Sequence, residues 1–513
     1  MAEQKPIDWS SLWKKDEWLA VWIGFLTIIL FLGGLTIKIP NFRWTTDGEF
    51  NGLVADNAAT VQALLKGAGE KGEAELTSSL QALQKTIEGK DRKTIGDAGK
   101  KLADASKNVK DGVLKKNAAE LGGSLNSNAG RLPGRVLAAD NIMWSIYVGI
   151  GFLILSAIAI AIMGEKVGLF IVGFPVVYIF AWISMYLAGN YTINEYGLEY
   201  VLWCLFIGLL VSNTVGVPNW LKPAVKTEFY IKIGLVILGS SILFGEIVQA
   251  GAYGIVQGIL VVAAIWYFCF WLCRKMGIDD EFSAMLSSAV SICGVSAAIA
   301  TSGAVKGDPK KLSYVTSIVL ICAVPMLVLQ PLIAKKVGMP DIVAGAWLGG
   351  TLDTSGSVVA AGALISELAM KVGVIVKMSQ NVLIGFAAFI LSIIWTFKKA
   401  AEVPGGEKPS AMEIWFRFPK FVLGFMIASV AFSFFLPTAT VNAVKGPLNA
   451  LRTLWFALAF TSIGLETRFA DLLELGGGKP AVAFVVAQGV NIIWTLILAY
   501  LIFGGILFAA PKF

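Results

Sequence analysis

An all-α polytopic membrane protein with a helical extramembrane insertion is the fold class this sequence predicts, on three observations. Fifty-six per cent of its 513 residues are hydrophobic and only 15% are charged, with a mean hydropathy of +0.72. No soluble fold of this size could cover such a surface. Apolar runs of about 20 residues, each long enough to cross roughly 30 Å of hydrocarbon, recur along most of the chain. One long segment, 41–140, departs from that pattern: it holds 15 basic and 13 acidic residues and no aromatic between Phe50 and Trp144.

The first apolar run, about 17–39, follows Lys14 and Lys15. It is too long for a signal-peptide core and lacks a small-residue cleavage pattern, so residues 1–40 read as a tail and an uncleaved spanning helix. Within 41–140, Leu76, Leu80, Leu83 and Ile87 recur at helical spacing, as do Leu102, Ala105 and Val109. Gly89, Gly96, Gly112 and "LPGR" at 132–135 punctuate them. The segment reads as a polar helical hairpin or bundle, with disorder as the alternative. Two additional spans follow within 141–190, at about 143–163 and 167–188. Further spans are expected near 198–217, 228–247, 251–273, 281–305, 312–333, 342–363, 371–397, 411–436, 454–472 and 479–508, about thirteen in all.

Orientation follows from loop charge. A cytoplasmic N-terminus puts Lys166, Lys222 with Lys226, Arg274 with Lys275, Lys335 with Lys336, and Lys398 with Lys399 inside. The loops at 189–197 and 248–250 carry no basic residue and fall outside, whereas Lys306, Lys310 and Lys311 are exceptions. The 41–140 insertion is then extracytoplasmic, and its charge carries no weight because long segments translocate regardless.

Several function classes drop out. The chain has no histidine, which removes His-based metal sites, general bases and pH switches. Its five cysteines, Cys204, Cys269, Cys273, Cys293 and Cys322, lie in apolar segments and read as small buried hydrophobes. A net charge of +7 spread over loops does not argue for nucleic acid. No phosphate-binding G-x-x-x-x-G-K-[ST] motif occurs, nor a nucleophile–base pair or metal-ligand cluster, so neither a pump powered by this chain nor an enzyme is expected, and no cofactor.

The last ten spans read as two five-helix sets, 191–335 and 336–513. "SICG" at 291–294 recurs as "SIG" at 462–464, each in the fourth span of its set. A rival match pairs 239–251 with 464–476. Either offset is odd, so the sets are inverted relative to one another. Three apolar segments are rich in small polar residues: "AVSICGVSAAIATSG" (289–303), "GAWLGGTLDTSGSVVAAG" (345–362) and "FTSIGLETRF" (460–469). Interrupted helices survive in a bilayer only where protein or a water-filled cavity surrounds them, and such breaks hold substrates. Close helix packing is the competing reading for the glycines and serines. Asp353 and Glu466 tip the balance, because a carboxylate in mid-span costs at least about 2.5 kcal/mol and is kept mainly for function. Glu466 has an edge position beside Arg468 as its alternative. Lys232 and Arg452, near span ends, read as snorkelling or headgroup contacts.

"GIDDEFSAMLSSAVSICGVSAAIAT", "YIKIGLVILGSSILFGEIVQAG", "GAWLGGTLDTSGSVVAAGALIS" and "IGLE" resemble the YeiH-type sulfate-exporter family of bacterial inner-membrane proteins over roughly 198–508. More distantly, "SICGVSAAIATSGAVKGD" is similar to the crossing-helix region of bile-acid:sodium symporters. The resemblance implies a multi-pass inner-membrane transporter with two inverted five-helix repeats whose broken helices cross at the substrate site. Two departures stand out. The family pattern places a histidine near Asp353 and a glutamine near Ser357, and shorter members lack the 41–140 insertion. A carboxylate in place of imidazole disfavours an adjacent anion and favours Na⁺ or a proton.

The expectation is therefore a secondary transporter of a small anion, sulfate or an organic sulfonate or carboxylate. Ser291, Cys293, Gly294, Ser296 and Thr301 are the candidate substrate-binding residues. Asp353, Thr351, Ser355, Glu466 and Ser462 are the candidates for coupling to Na⁺ or a proton. Cation–solute symport or cation/proton exchange is the rival, and a sensor or scaffold using 41–140 is the rival of another class. The expected partners are the solute and the lipid bilayer, with a homo-oligomer left open. A cysteine at Ser127 should be labelled by an impermeant thiol reagent from outside intact cells and one at Ser410 should not; the reverse pattern would overturn the orientation.

Overall fold

The computed structural model describes residues 11–196, 198–400, 419–468, 470 and 478–511, and in chain order its helices begin with α1 (Asp16–Leu32). Five short helices follow: α2 (Asp47–Asp56), α3 (Ala58–Glu70), α4 (Ala74–Glu88), α5 (Arg92–Ser106) and α6 (Gly112–Ala129). Then come α7 (Ala139–Ile162), α8 (Val167–Ala188), α9 (Tyr200–Thr214), α10 (Thr227–Gly239) and α11 (Phe244–Lys275). The helix α12 (Asp280–Ser288) runs through a π-turn, Ala289–Cys293, into α13 (Gly294–Val305). After α14 (Pro309–Lys336), α15 (Asp341–Thr351) and α16 (Ser355–Ile365) flank a non-helical Leu352–Thr354. The chain continues with α17 (Glu367–Ala400), α18 (Lys420–Val430), α19 (Thr438–Glu466) and α20 (Lys479–Phe503).

Each of the thirteen predicted segments holds a helix or a broken helix pair, although 411–418, Ser410 and 471–477 lie outside the described residues. Among the described residues, eight helices are long and apolar enough to cross a membrane. The others fall short for local reasons. The 342–363 segment is two 11-residue helices, and α10 is only 13 residues because a turn at Ser240–Leu243 ends it. The chain forms two compact units, residues 38–150 with 182–203 and the remainder.

In the smaller unit α2–α6 share one apolar core that includes Phe50, Leu64, Leu76, Leu80, Ile95, Leu102 and Leu125. Three of the five starts, those of α2, α5 and α6, are set by side-chain caps. Thr46 and Glu49 form a reciprocal capping box on α2, Asp91 accepts from Thr94 N (2.9 Å), and Asp111 accepts from Leu114 N (2.9 Å). Glu49 also accepts from Asn190 Nδ2 (3.1 Å) and Thr192 N (3.3 Å). Partial burial would raise the pKa of Glu49, but the hydrogen bonds from Thr192, Thr46 and Asn190 outweigh it and hold the carboxyl down at about 2. Arg92 ties α5 to the carbonyls of Asn128, Ala129 and Arg131 and lies over the Phe50 ring.

In the larger unit the helices pack through small residues. A Cβ on Gly345 would lie 2.5 Å from Ala369 O, and one on Gly349 would lie 2.5 Å from Gly373 O, so α15 rests on α17 backbone to backbone.

Because the folded pKa of Glu49 is depressed, its contribution is present above the ordinary carboxyl pKa near 4.5 and lost as pH falls through about 2. In Glu49→Gln, hydrogen exchange over 46–56 of the full-length protein should rise about tenfold or more at pH 7, for a loss of about 1.5 kcal/mol or more. The difference from wild type should shrink as pH drops below 4.5.

Candidate functional site

The two helix interruptions expected from Gly- and Ser-rich stretches are present, and they touch. Along α12, Ser283, Ser287 and Ser291 each donate back to a carbonyl four residues earlier (2.7, 2.7 and 2.6 Å). Such back-bonds bend a helix, and the ladder opens into the π-turn at 289–293. Gly294 then restarts the helix with φ +20°, and a Cβ there would lie 2.5 Å from Val319 Cγ1 and 3.0 Å from Asp353 O. The second break is the extended Leu352–Thr354. Thr354 starts α16 as an N-cap, accepting from Ser357 N at 3.1 Å.

The breaks free backbone carbonyls inside protein, and side chains of α17 and α20 take them up. Asn491 Nδ2 donates to Val290 O (3.1 Å). Gln380 Nε2 donates to Ser291 O (2.8 Å) and Gly350 O (3.4 Å), and Lys377 Nζ to Ile292 O (2.6 Å). Gln488 Nε2 donates to Thr351 O (2.8 Å). The carbonyl ends of both interrupted helices are therefore closed by the protein itself. The amide ends, at α13 and α16, border a cavity.

That cavity has a volume of about 870 Å³. Its lining runs from exposed Lys15 and Glu165 to fully buried Asp353 and Ser357. One wall comes from α1, α10, α18 and α19, the other from α13, α14, α16 and α17. Charged lining residues are Asp16, Glu17, Glu165, Glu228, Asp353 and Glu466 against Lys15, Lys226, Lys232 and Lys420. Lys232 bonds Asp16 (2.9 Å) and Lys226 bonds Glu165 (2.5 Å), while Glu17 accepts from the Lys420 amide (3.2 Å). Glu466 accepts from Thr227 Oγ1 at 3.0 Å. Asp353 Oδ2, in a residue only 2% exposed, has no hydrogen-bond partner among the described residues.

Of the ten candidate residues, Cys293, Ser296, Asp353, Ser355 and Glu466 line this cavity. Gly294 forms the contact between the breaks, and Ser291 is occupied in bending α12. Thr301 is buried along α13 and does not line the cavity. The Thr351 hydroxyl is shared between Trp347 O (2.8 Å) on its own helix and Gln330 Oε1 (3.1 Å) on α14, and Ser462 donates to Leu458 O (2.9 Å) on its own helix. The expected third interruption is absent: α19 runs unbroken through Glu466, with Phe469 outside the described residues. The second break thus lies at 352–354 and not at the "SIG" of 462–464. Lys232 and Arg452 are corrected too. Both are buried; Lys232 meets Asp16, and Arg452 Nη1 lies 3.9 Å from Glu367.

Lys377, Gln380, Gln488 and Asn491 were missed, as was Glu228. The available signal was their own polarity within apolar spans, at i, i+3 spacing on each of α17 and α20.

Residues 172–483, which contain both breaks, match the family model described as conserved hypothetical protein 698. The chain belongs to that family, the UPF0324 membrane proteins. A UPF0324 membrane protein of Rhodopirellula baltica is 35% identical over 97% of this chain and 91% of its own length. One from Nitratidesulfovibrio vulgaris is 39% identical over 68% of this chain and 62% of its own. The UPF0324 inner membrane protein YeiH of Escherichia coli K12 is 26% identical over 60% and 84%. No solved structure matches this chain. The YeiH-type resemblance holds, and the Rhodopirellula match, at 97% coverage, extends it through the 41–140 helices.

Gly294→Ala should lower the thermal stability of the purified protein by about 1–3 kcal/mol through overpacking against Val319 and Asp353. Gly251→Ala, whose nearest neighbours lie 3.8 Å away, should be close to neutral.

Proposed function

We propose that the protein is a secondary transporter of a small anion, coupled to a proton or Na⁺ at Asp353. The observation that carries this reading is the meeting of two helix breaks at the buried end of a cavity whose other end is exposed. Helix N-termini favour anions, and those of α13 and α16 border the cavity while the opposing carbonyl ends are closed by donors. Cys293, Ser296, Thr354 and Ser355 would contact the solute, a sulfate, sulfonate or carboxylate. Two broken helices, 280–305 and 341–365, that meet at a cavity are the kind of arrangement with which secondary transporters hold a substrate. We place the protein in the bacterial inner membrane with its N-terminus and the exposed end of the cavity on the cytoplasmic side, and assign it no catalytic role.

A second reading, cation/proton exchange, draws on the excess of carboxylates over lysines in the lining, six against four. Proteoliposomes separate the two: an anion gradient should drive counterflow of a labelled anion under the first and have no effect under the second.

Under either coupling, Asp353→Asn should abolish proton- or Na⁺-driven accumulation while the protein still inserts and folds, and Asp353→Glu should restore only part of it. Asparagine is a fair hydrogen-bonding substitute for a merely structural carboxylate. A fully active Asp353→Asn protein with unchanged ion dependence sinks the coupling role.

A further inference from the structure

The floor of the cavity poses an electrostatic puzzle. Two helix N-termini converge there on a region suited to an anion, yet the side chain at that point is a carboxylate. Asp353 follows the end of α15 and touches Gly294, the first residue of α13, while Thr354 and Ser355 beside it open α16. Its Oδ2 makes no hydrogen bond among the described residues. The charge facing it from α17 is Lys377, also 2% exposed, whose ammonium is held by Ile292 O and Gln380 Oε1 (3.0 Å). Lys377 makes no ion pair among the described residues.

The other groups around Asp353 do not balance it. From the π-turn and α14 the thiols of Cys293 and Cys322 face it, and Glu228 of α10 and Glu466 of α19 line the same cavity. A bound Na⁺ would need several oxygens. Five of the break carbonyls, those of Val290, Ser291, Ile292, Gly350 and Thr351, already accept from side-chain donors. A cation would also sit near the Lys377 ammonium. A proton needs no such cage.

We propose that Asp353 is a built-in anion, held in the field of the α13 and α16 N-termini and of Lys377, and that the transported anion can take over this field only when a proton neutralises Asp353. Resting on the transporter reading, this names the coupling ion and its stoichiometry. Proton and anion enter the site together, one proton on the Asp353 carboxyl for each anion bound. With Asp353 charged, an arriving anion meets a carboxylate; with Asp353 protonated, it meets two helix dipoles and an unbalanced ammonium. The anion would be small, since it replaces one carboxylate. Lys377 acts through the field and through the carbonyl it holds, and is a positioning residue.

The test is equilibrium binding to the purified full-length protein in detergent. Choline salts of sulfate, methanesulfonate and acetate serve as probes, so that Na⁺ is absent. Affinity is read from thermal stabilisation, and proton uptake from a pH indicator in weakly buffered solution. For wild type, at least one probe should bind, with about one proton taken up per anion and affinity falling about tenfold per pH unit above the Asp353 transition. Asp353→Asn should bind that probe with an affinity independent of pH and without proton uptake. Lys377→Gln should bind it at least about tenfold more weakly. Binding by wild type without proton uptake, binding that requires added Na⁺, absence of binding by every probe, or loss of binding in a folded Asp353→Asn protein would each overturn the proposal. Wild-type proton uptake decides the matter even if a variant does not fold. Proton-linked binding without any flux in proteoliposomes would sink the transporter reading and leave this one standing.

Discussion

Each backbone carbonyl released where a helix is interrupted away from water needs a donor. Leaving one buried and unpaired costs about 1–3 kcal/mol, and five at the two breaks described above accept from side chains. The protein answers with Lys377 and Gln380 on α17 and with Gln488 and Asn491 on α20. These residues are what allow α12–α13 and α15–α16 to be broken inside the bundle. Their placement also decides what the site offers. Donors of the protein cover the carbonyl ends, so the field that reaches the cavity is that of the amide ends.

Much of this arrangement was legible in the chain. The spans follow from hydropathy. The small polar residues of 289–303 and 345–362 could be read as helix interruptions, and Asp353 stood out because charge in mid-span is rare. The donors were not legible as donors. Their acceptors are backbone atoms 30 to 201 residues away, and no local spacing encodes such a partner. Ser462 and Thr351 misled for the opposite reason, since a hydroxyl in an apolar helix looks the same whether it faces a cavity or bonds its own backbone. Lys232 and Arg452 were judged by their nearness to span ends. Asp16, the partner of Lys232, lies 216 residues earlier on α1, and Glu367 completes the pairing of Arg452 from the start of α17.

The smaller unit rests on different physics. Its helices are short and polar, so propensity and packing alone hold them weakly, and Thr46, Asp91 and Asp111 fix the starts of α2, α5 and α6. Glu49 gathers the α2 start, Asn190 and Thr192 onto a single carboxylate. The periodic leucines of 76–83 were readable as a core face; this polar junction, joining residues more than 140 positions apart, was not.

The Gln380 amide grips Ser291 O from one interrupted helix and Gly350 O from the other. It acts as a rivet. Sliding either broken helix past its neighbour would strip a carbonyl of its donor, so both breaks, with Lys377 and Asp353, must travel as one block. In the transporter we propose, relative motion is therefore confined to the seam between that block and the wall carrying Thr227, Glu228 and Glu466. Across that seam the packing at Gly356 is with the side chains of Ile231 and Ile463, apolar contacts that can slide where a backbone bond could not, which makes it the plane along which this bundle can shear.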